Sequence, residues 1–398
     1  MPSDAPVLNR EVAKETARRS VDAAAEGLIE LSHLVHSHPE LNFEEERSSA
    51  WVAGALSDHG FAIDTGVCDL PTAFVATAGS GPLTLAICAE YDALPGVGHA
   101  CGHNIIAASA VGAAIGLGSL ADDLGITVKV MGTPAEEGGG GKILMLERGA
   151  FAGVHASMMV HPMPFAFDSV EAVCLAVSIL DVHYHGKSAH ASGFPQAGIN
   201  AADGVTIAQV AIGLLRQHIH PTDRIHGIVK DGGDAPNVIP EHAGGQWLVR
   251  ARTLEALAKL EPRVRACFEA GAMATGATVE IVQPGKPYSE FRHDPGLGAF
   301  FQANGQALGR EYPEIKRSAL ERTAGSTDMA NISLAMPAIH PSIGIDCQPA
   351  SNHQPEFTAA AITANADKAV RDGALAMAWT CIDVALDPTE RTRLLAGP

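Results

Sequence analysis

Apolar strand runs alternate with helical segments along residues 72–160, stop near residue 174 and resume after Pro287. That order limits the possible folds more than any single residue does. In the first stretch, strands fit 72–78, 83–89, 126–131 and 156–160, and an Ala-rich helix fits 103–120. Helical apolar spacing also covers 10–36 (Val12, Ala23, Leu28, Leu31, Leu34, Val35) and 44–59. Strands separated by helices pair in parallel, so this part reads as a layered α/β sheet with a mainly parallel core. From 174 to 282 the order becomes β-α-β-β-α-β. The strand CLAVSILDVHYHG is followed by a helix over about 200–217, strands near 224–229 and 245–251, a helix from Leu254 to about 274, and a strand at 278–282. This is the order of a ferredoxin-like α+β unit. Pro284, Gly285 and Pro287 close it. Helices near 295–307 and 327–334, a strand near 338–345 and a long helix from 358 to about 386 restore the first texture. The expected organisation is a discontinuous first domain, 1–172 with 288–398, interrupted by a second domain at 173–287. A length of 398 residues fits two cores better than one.

Charge excludes some partners. The chain has 27 basic and 45 acidic residues, a net charge of -18, which disfavours nucleic acid and anionic membranes. No apolar run is long enough to span a bilayer, and the first 20 residues carry no secretory h-region. Seven scattered cysteines point to separate thiols in a reducing, cytoplasmic setting. Cys68, Cys88, Cys174, Cys267 and Cys381 lie in apolar surroundings and are expected to be buried and inert.

Metal-binding and acid–base residue types recur at strand ends. Cys101-Gly102-His103 sets a thiolate and an imidazole beside one flexible residue, just before a helix. Those donors suit zinc and its neighbours. A bare C-x-H is more often a buried Cys with a capping His. Glu136 and Glu137 stand side by side after a strand, in Thr133-Pro134-Ala135-Glu136-Glu137-Gly138. Adjacent carboxylates on a non-helical segment point apart, so one can bind a cation while the other moves protons. His161 ends an apolar strand, and His353 sits in a polar loop before the last helix. Open α/β sheets collect ligands at the carboxyl ends of their strands, so four such signals reinforce one another.

Three other patterns carry less. His33, His36 and His38 lack a thiolate or carboxylate arranged with them. GGGGK at 138–142 fails as a phosphate loop, since Glu136 and Ile143 occupy positions that need Gly and Ser or Thr. Gly325-Ser326-Thr327-Asp328 reads as a helix N-cap lining the site, and Cys347 as a loop thiol.

The set ACGHN, PAEEGGGG, VHP, GKSAHAS, PNVIP and SNHQPEF resembles the aminoacylase and carboxypeptidase-G type of dinuclear metallopeptidases, in its amidohydrolase branch. EYDALPGVGHACGHN, RIHGIVKDGG and GSTDM resemble its β-alanyl-lysine dipeptidase and p-aminobenzoyl-glutamate hydrolase group. The resemblance covers nearly the whole chain. It implies that 1–172 with 288–398 is a metal-binding catalytic domain and that 173–287 is a lid or dimerisation domain, and it implies two divalent ions, Zn or Mn or else Co. It makes Cys101 the bridging ligand, His103 and His161 ligands of one ion, and Glu137 and His353 ligands of the other. Glu136 becomes the general base and acid, and His190 an oxyanion donor, commonly supplied by the partner of a homodimer. Asn237, Arg250 and His226 are placed near the substrate. The implied reaction is hydrolysis of the amide bond of an N-acyl amino acid or dipeptide by metal-activated water. Two departures stand out. Asn104 replaces a common Asp, and Glu90-Tyr91-Asp92 replaces an H-x-D element. Asn104 motivates the rival expectation, a catalytically impaired binding or partner subunit. An amidase using Cys101 as nucleophile is a third.

Overall fold

Alternate residues of the central strands face two different cores. Leu85, Ile87 and Ala89 enter one, and Ala86 and Cys88 enter the other. A strand buried on both faces reads as a continuous apolar run, as Leu83–Glu90 does. The computed structural model describes residues 9–322 and 324–397. Among these, two units separate. One holds the described residues of Met1–Ala172, Phe291–Lys316 and Asp328–Pro398; the other holds Val173–Glu290 and those of Arg317–Thr327.

In the first unit a six-stranded sheet runs in the order Ala62–Thr65, Phe74–Ala78, Ile126–Thr133, Leu83–Glu90, Ala156–Met158, Ala338–Ile339. The last four are parallel and the first two are antiparallel additions. Leu83–Glu90 has its next strand on one side and the following strand on the other. This is a topological switch point, where a crevice opens beyond the strand ends. Helix His103–Gly118 is apolar all round and therefore buried. It packs between helices Arg10–Ser37 and Ala364–Leu386. Asn9 caps Arg10–Ser37 by accepting from the Glu11 amide at 2.9 Å. Helices Gly141–Glu147 and Met329–Ala335 cover the other face. His161–Met163 pairs in parallel with Ser342–Gly344.

The second unit is a four-stranded antiparallel sheet in the order Thr278–Val282, Ala176–His185, His242–Ala251, Arg224–Asp231. Helices Ala201–Leu215 and Leu254–Thr275 pack on its inner face against Leu180, Val182, Tyr184, Trp247 and Val249. The chain is therefore α/β with an inserted ferredoxin-like α+β unit, as its element order implied.

Some expectations change. The closing helix is not continuous: Pro355–Ala360 stops and Ala364–Leu386 begins again. The Ala361 carbonyl accepts from the buried Asn104 amide at 3.0 Å instead of from a helical N–H. Segment 317–327 packs with the second unit, because the Leu175 amide donates to the Gly325 carbonyl at 2.9 Å and the Ser326 hydroxyl donates to the Leu175 carbonyl at 2.6 Å. Cys68 and Cys174 are only partly buried. Cys68 lies in a short surface turn with a positive φ of 59°.

Gly112 shows how close the helices come. A Cβ there would stand 2.7 Å from the Ala374 Cβ and 2.9 Å from Leu28 Cδ1. Gly112→Val is expected to cost about 1–3 kcal/mol of unfolding free energy through overpacking, seen as a lower midpoint in denaturant melts.

Candidate metal centre

Beyond Glu90 the chain passes Asp92, loops, and turns at Gly102 into helix His103–Gly118. Gly102 has φ +74°, and a Cβ there would lie 2.5 Å from Pro162 Cγ. The residue between Cys101 and His103 must therefore be glycine. After strand Ile126–Thr133, Ala135 takes φ +57° and its amide donates to buried Glu45 at 2.9 Å. Gly141 follows so closely that a Cβ would meet the Pro134 carbonyl at 1.9 Å. This tight return swings Glu136 and Glu137 over the strand ends. His161 turns its Nδ1 to the Pro162 carbonyl at 3.0 Å, leaving Nε2 toward Cys101. His353 has φ +69°, and its amide donates to the Ala100 carbonyl at 2.8 Å. Non-glycine residues held at such angles cost of order 1–3 kcal/mol each and cluster at functional sites.

These segments meet at Cys101. Its Sγ lies 3.4 Å from His161 Nε2 and 3.7 Å from His353 Nε2. His353 Nε2 is 3.7 Å from Glu137 Oε2, and His103 Nε2 is 3.7 Å from Glu137 Oε1. Cys101, His103 and His161 form one group able to hold a metal ion; Cys101, Glu137 and His353 form another. Glu136 stands beside both, with Oε2 3.8 Å from His103 Nε2.

The donors fit a pair of divalent cations. His103 Nε2 and Glu137 Oε1 are buried and make no hydrogen bond. Burial, then Glu90 and Glu137, push Glu136 well above the usual carboxylate range. Burial and neighbouring Asp92 push Glu137 up to about 7. Burial and then Glu137 raise the Cys101 thiol, and burial and then His340 hold His161 well below the usual imidazole range. His103 goes the other way: against the burial that would lower it, Asp92 and then Glu90 raise it, so the acids converge on one imidazole that favours its charged form and on a second, His161, that stays neutral.

Several surrounding residues escaped the sequence reading. Asp92 accepts from His103 Nδ1 at 2.9 Å and from the Glu137 amide at 2.9 Å, fixing the orientation of both. It thus stands behind His103, while Asn104 turns away and donates to the Ser32 hydroxyl at 2.8 Å. Lys142 is fully buried between Glu90, at 2.5 Å, and Asp328, at 2.8 Å. Glu90 Oε2 in turn lies 3.5 Å from His103 Nε2. Asp328, expected as a cap, holds the position before helix Met329–Ala335 but makes no side-chain cap bond, because Lys142 takes both of its oxygens. His340, buried with its ring centroid 5.4 Å from that of His161, completes the surround.

The remaining sequence candidates lie in the second unit, in two places. His190 is exposed, and its Nδ1 accepts from the Ser192 and Gly193 amides at 3.2 and 3.0 Å. The Ala191 amide donates to the Asn237 carbonyl at 3.0 Å, tying that loop to PNVIP. Arg250 donates to His226 Nε2 at 3.2 Å and to the Ser326 hydroxyl at 2.7 Å. His33 and His36 bond Asp367 and the Thr358 carbonyl, and belong to no metal-binding group among the described residues.

Comparison with known proteins finds a family match, curated relatives and similar folds. The sequence profile of peptidase family M20/M25/M40 matches residues 86–371. The Xaa-Arg dipeptidase of Mus musculus is 37% identical over 403 residues, covering 97% of this chain and 92% of its own. A p-aminobenzoyl-glutamate hydrolase component of Escherichia coli is 33% identical over 281 residues, covering 66% and 58%. A dinuclear metal-binding peptidase of the same family from Bacillus subtilis has a similar fold, with a TM-score of 0.66 at 23% identity, covering 91% and 99%.

Lys142→Met would leave Glu90 and Asp328 buried without their cation. Removing one partner of a buried pair costs about 3–5 kcal/mol, so chemical denaturation of this variant is expected to show a loss of that size.

Proposed function

The chain belongs to peptidase family M20/M25/M40, a metal-dependent hydrolase of amide or peptide bonds, and on that footing we propose how its residues divide the work. Cys101 would be shared between two divalent ions, with His103 and His161 completing one donor set and Glu137 and His353 the other. The observation that carries this is the meeting of both donor groups at one Cys101 sulfur. Bound there, divalent ions lower the pKa of water and polarise a carbonyl. Glu136 takes the proton of the attacking water and delivers it to the leaving nitrogen; its burial and raised pKa suit that double role. His190 stabilises the tetrahedral oxyanion. Its Nδ1 accepts two backbone N–H groups, which leaves the proton on Nε2 for donation. Arg250, His226 and Asn237 bind the substrate carboxylate.

The substrate we propose is a dipeptide or N-acyl amino acid. The mouse relative's name puts dipeptides ending in arginine first in a test panel, and the bacterial relative's name adds aminobenzoyl-glutamate. Zn, Mn or Co suits the thiolate, imidazole and carboxylate donors. A homodimer is supported by the exposed edge strand Arg224–Asp231, with Ile228 and Val229 outward, and by exposed Val210 and Leu214 on Ala201–Leu215. A cytoplasmic location is supported by seven free cysteines. No described helix is long and apolar enough to cross a membrane. A binding protein without turnover finds no support in a complete donor set that retains Glu136.

Hydrolysis of the panel is expected to stop on chelation and return with added metal. Glu136→Ala is expected to lose about 10²–10⁴-fold in kcat while elemental analysis still finds its metal. Cys101→Ala is expected to lose metal and activity together. A fully active Glu136→Ala enzyme contradicts the assignment.

A further inference from the structure

The outer face of the second unit's sheet carries three histidines that no step above uses. Residues two apart on a strand share a face, so His183 and His185 project together from Ala176–His185. His242 lies directly opposite His185 on the antiparallel neighbour, a placement that brings Cβ atoms to ~4.5–5.5 Å. His183 faces Gly244 in the same ladder, and Asp231 faces Gly244 from the other side. With no side chain at Gly244, the His242 ring spans the gap. Its centroid is 5.7 Å from that of His183 and 5.3 Å from that of His185. Its Nδ1 meets Asp231 Oδ2 at 2.5 Å. A hollow of about 160 Å³ lies over this point, lined by His183, Asp231, His242 and Gly244, with Lys230 also on its wall.

We propose that His183, His185 and His242 form a second cation-binding site, separate in its donors from the Cys101 centre, for a transition-metal ion of the Zn²⁺ or Co²⁺ type. Three imidazoles with an open fourth position are a recurrent zinc donor set. A carboxylate on the far ring nitrogen is the usual device for fixing a ligating imidazole. Asp231 stands there: it holds the Nδ1 proton of His242 and leaves Nε2 as the donor. The His242 ring stands against each of the other two, but the three do not converge on one point, so they are not among the groups whose donor atoms already lie close enough to hold an ion. The half-exposed side chains of His185 and His242, at 52% and 38% relative exposure, have room to turn inward. The acidic character of the chain, at -18, favours a cation on an open face.

The test is zinc titration of the full-length enzyme by equilibrium dialysis with elemental analysis, against His183→Ala/His242→Ala. The double variant is expected to bind one ion fewer per chain at micromolar free zinc, with an unchanged melting temperature and unchanged hydrolysis of the peptide panel. Asp231→Asn is expected to weaken that same ion by about 10–100-fold. Equal zinc in parent and double variant overturns the proposal. So does an extra ion that binds only at millimolar zinc, which is adventitious capture by surface imidazoles.

Discussion

Four carboxylates crowd one buried imidazole. Glu90, Glu136 and Glu137 lie within 3.5–3.8 Å of His103 Nε2, and Asp92 holds its Nδ1. Taking that much negative charge out of water is costly unless positive charge enters with it. Lys142 supplies part of it, bound to Glu90 and Asp328. Divalent ions held on the Cys101 side, as proposed above, would supply the rest. The requirement explains why Lys142 is among the largest fully buried side chains.

The sheet makes such a convergence possible. Strands Leu83–Glu90, Ile126–Thr133 and Ala156–Met158 are parallel neighbours, so their carboxyl ends open on one crevice. Each end then needs a sharp local turn to aim its side chain. The turns are built from Gly102, Ala135 and Gly141, positions of positive φ or of backbone approach too close for a Cβ. His353 arrives from the far end of the chain in a similarly constrained conformation. The strain and the apolar helix layer behind it serve one end, holding soft and hard donors within reach of one another.

Much of this was legible in the residues. Glu136, Glu137 and His161 each follow an apolar strand within a few positions, and Cys101 and His103 stand at the start of an apolar helix; period and turn chemistry mark such places. The β-α-β-β-α-β order of the second unit could be read because its strands and helices alternate cleanly with turn residues. What escaped depends on contacts distant in sequence. Lys142 and Asp328 are 186 positions apart, and neither looks unlike a surface residue in its own segment. Asp328 beside a helix start suggested a cap, and tertiary pairing overrode that local preference. The break after Ala360 combines a local and a distant contact: the Thr363 hydroxyl donates to the Ala360 carbonyl at 2.9 Å, and the Ala361 carbonyl accepts from Asn104, 257 positions away. Segment 317–327 joined the second unit through backbone bonds at Gly325, which leave no mark in a sequence pattern.

The central claim is that one sulfur, that of Cys101, is shared by both bound ions. X-ray absorption spectroscopy at the zinc edge, on protein loaded with two ions per chain, tests it most directly. A sulfur scatterer at close to one per zinc, beside nitrogen and oxygen neighbours, is the predicted result. A coordination sphere of nitrogen and oxygen alone would contradict the account and leave Cys101 as a buried thiol beside the site.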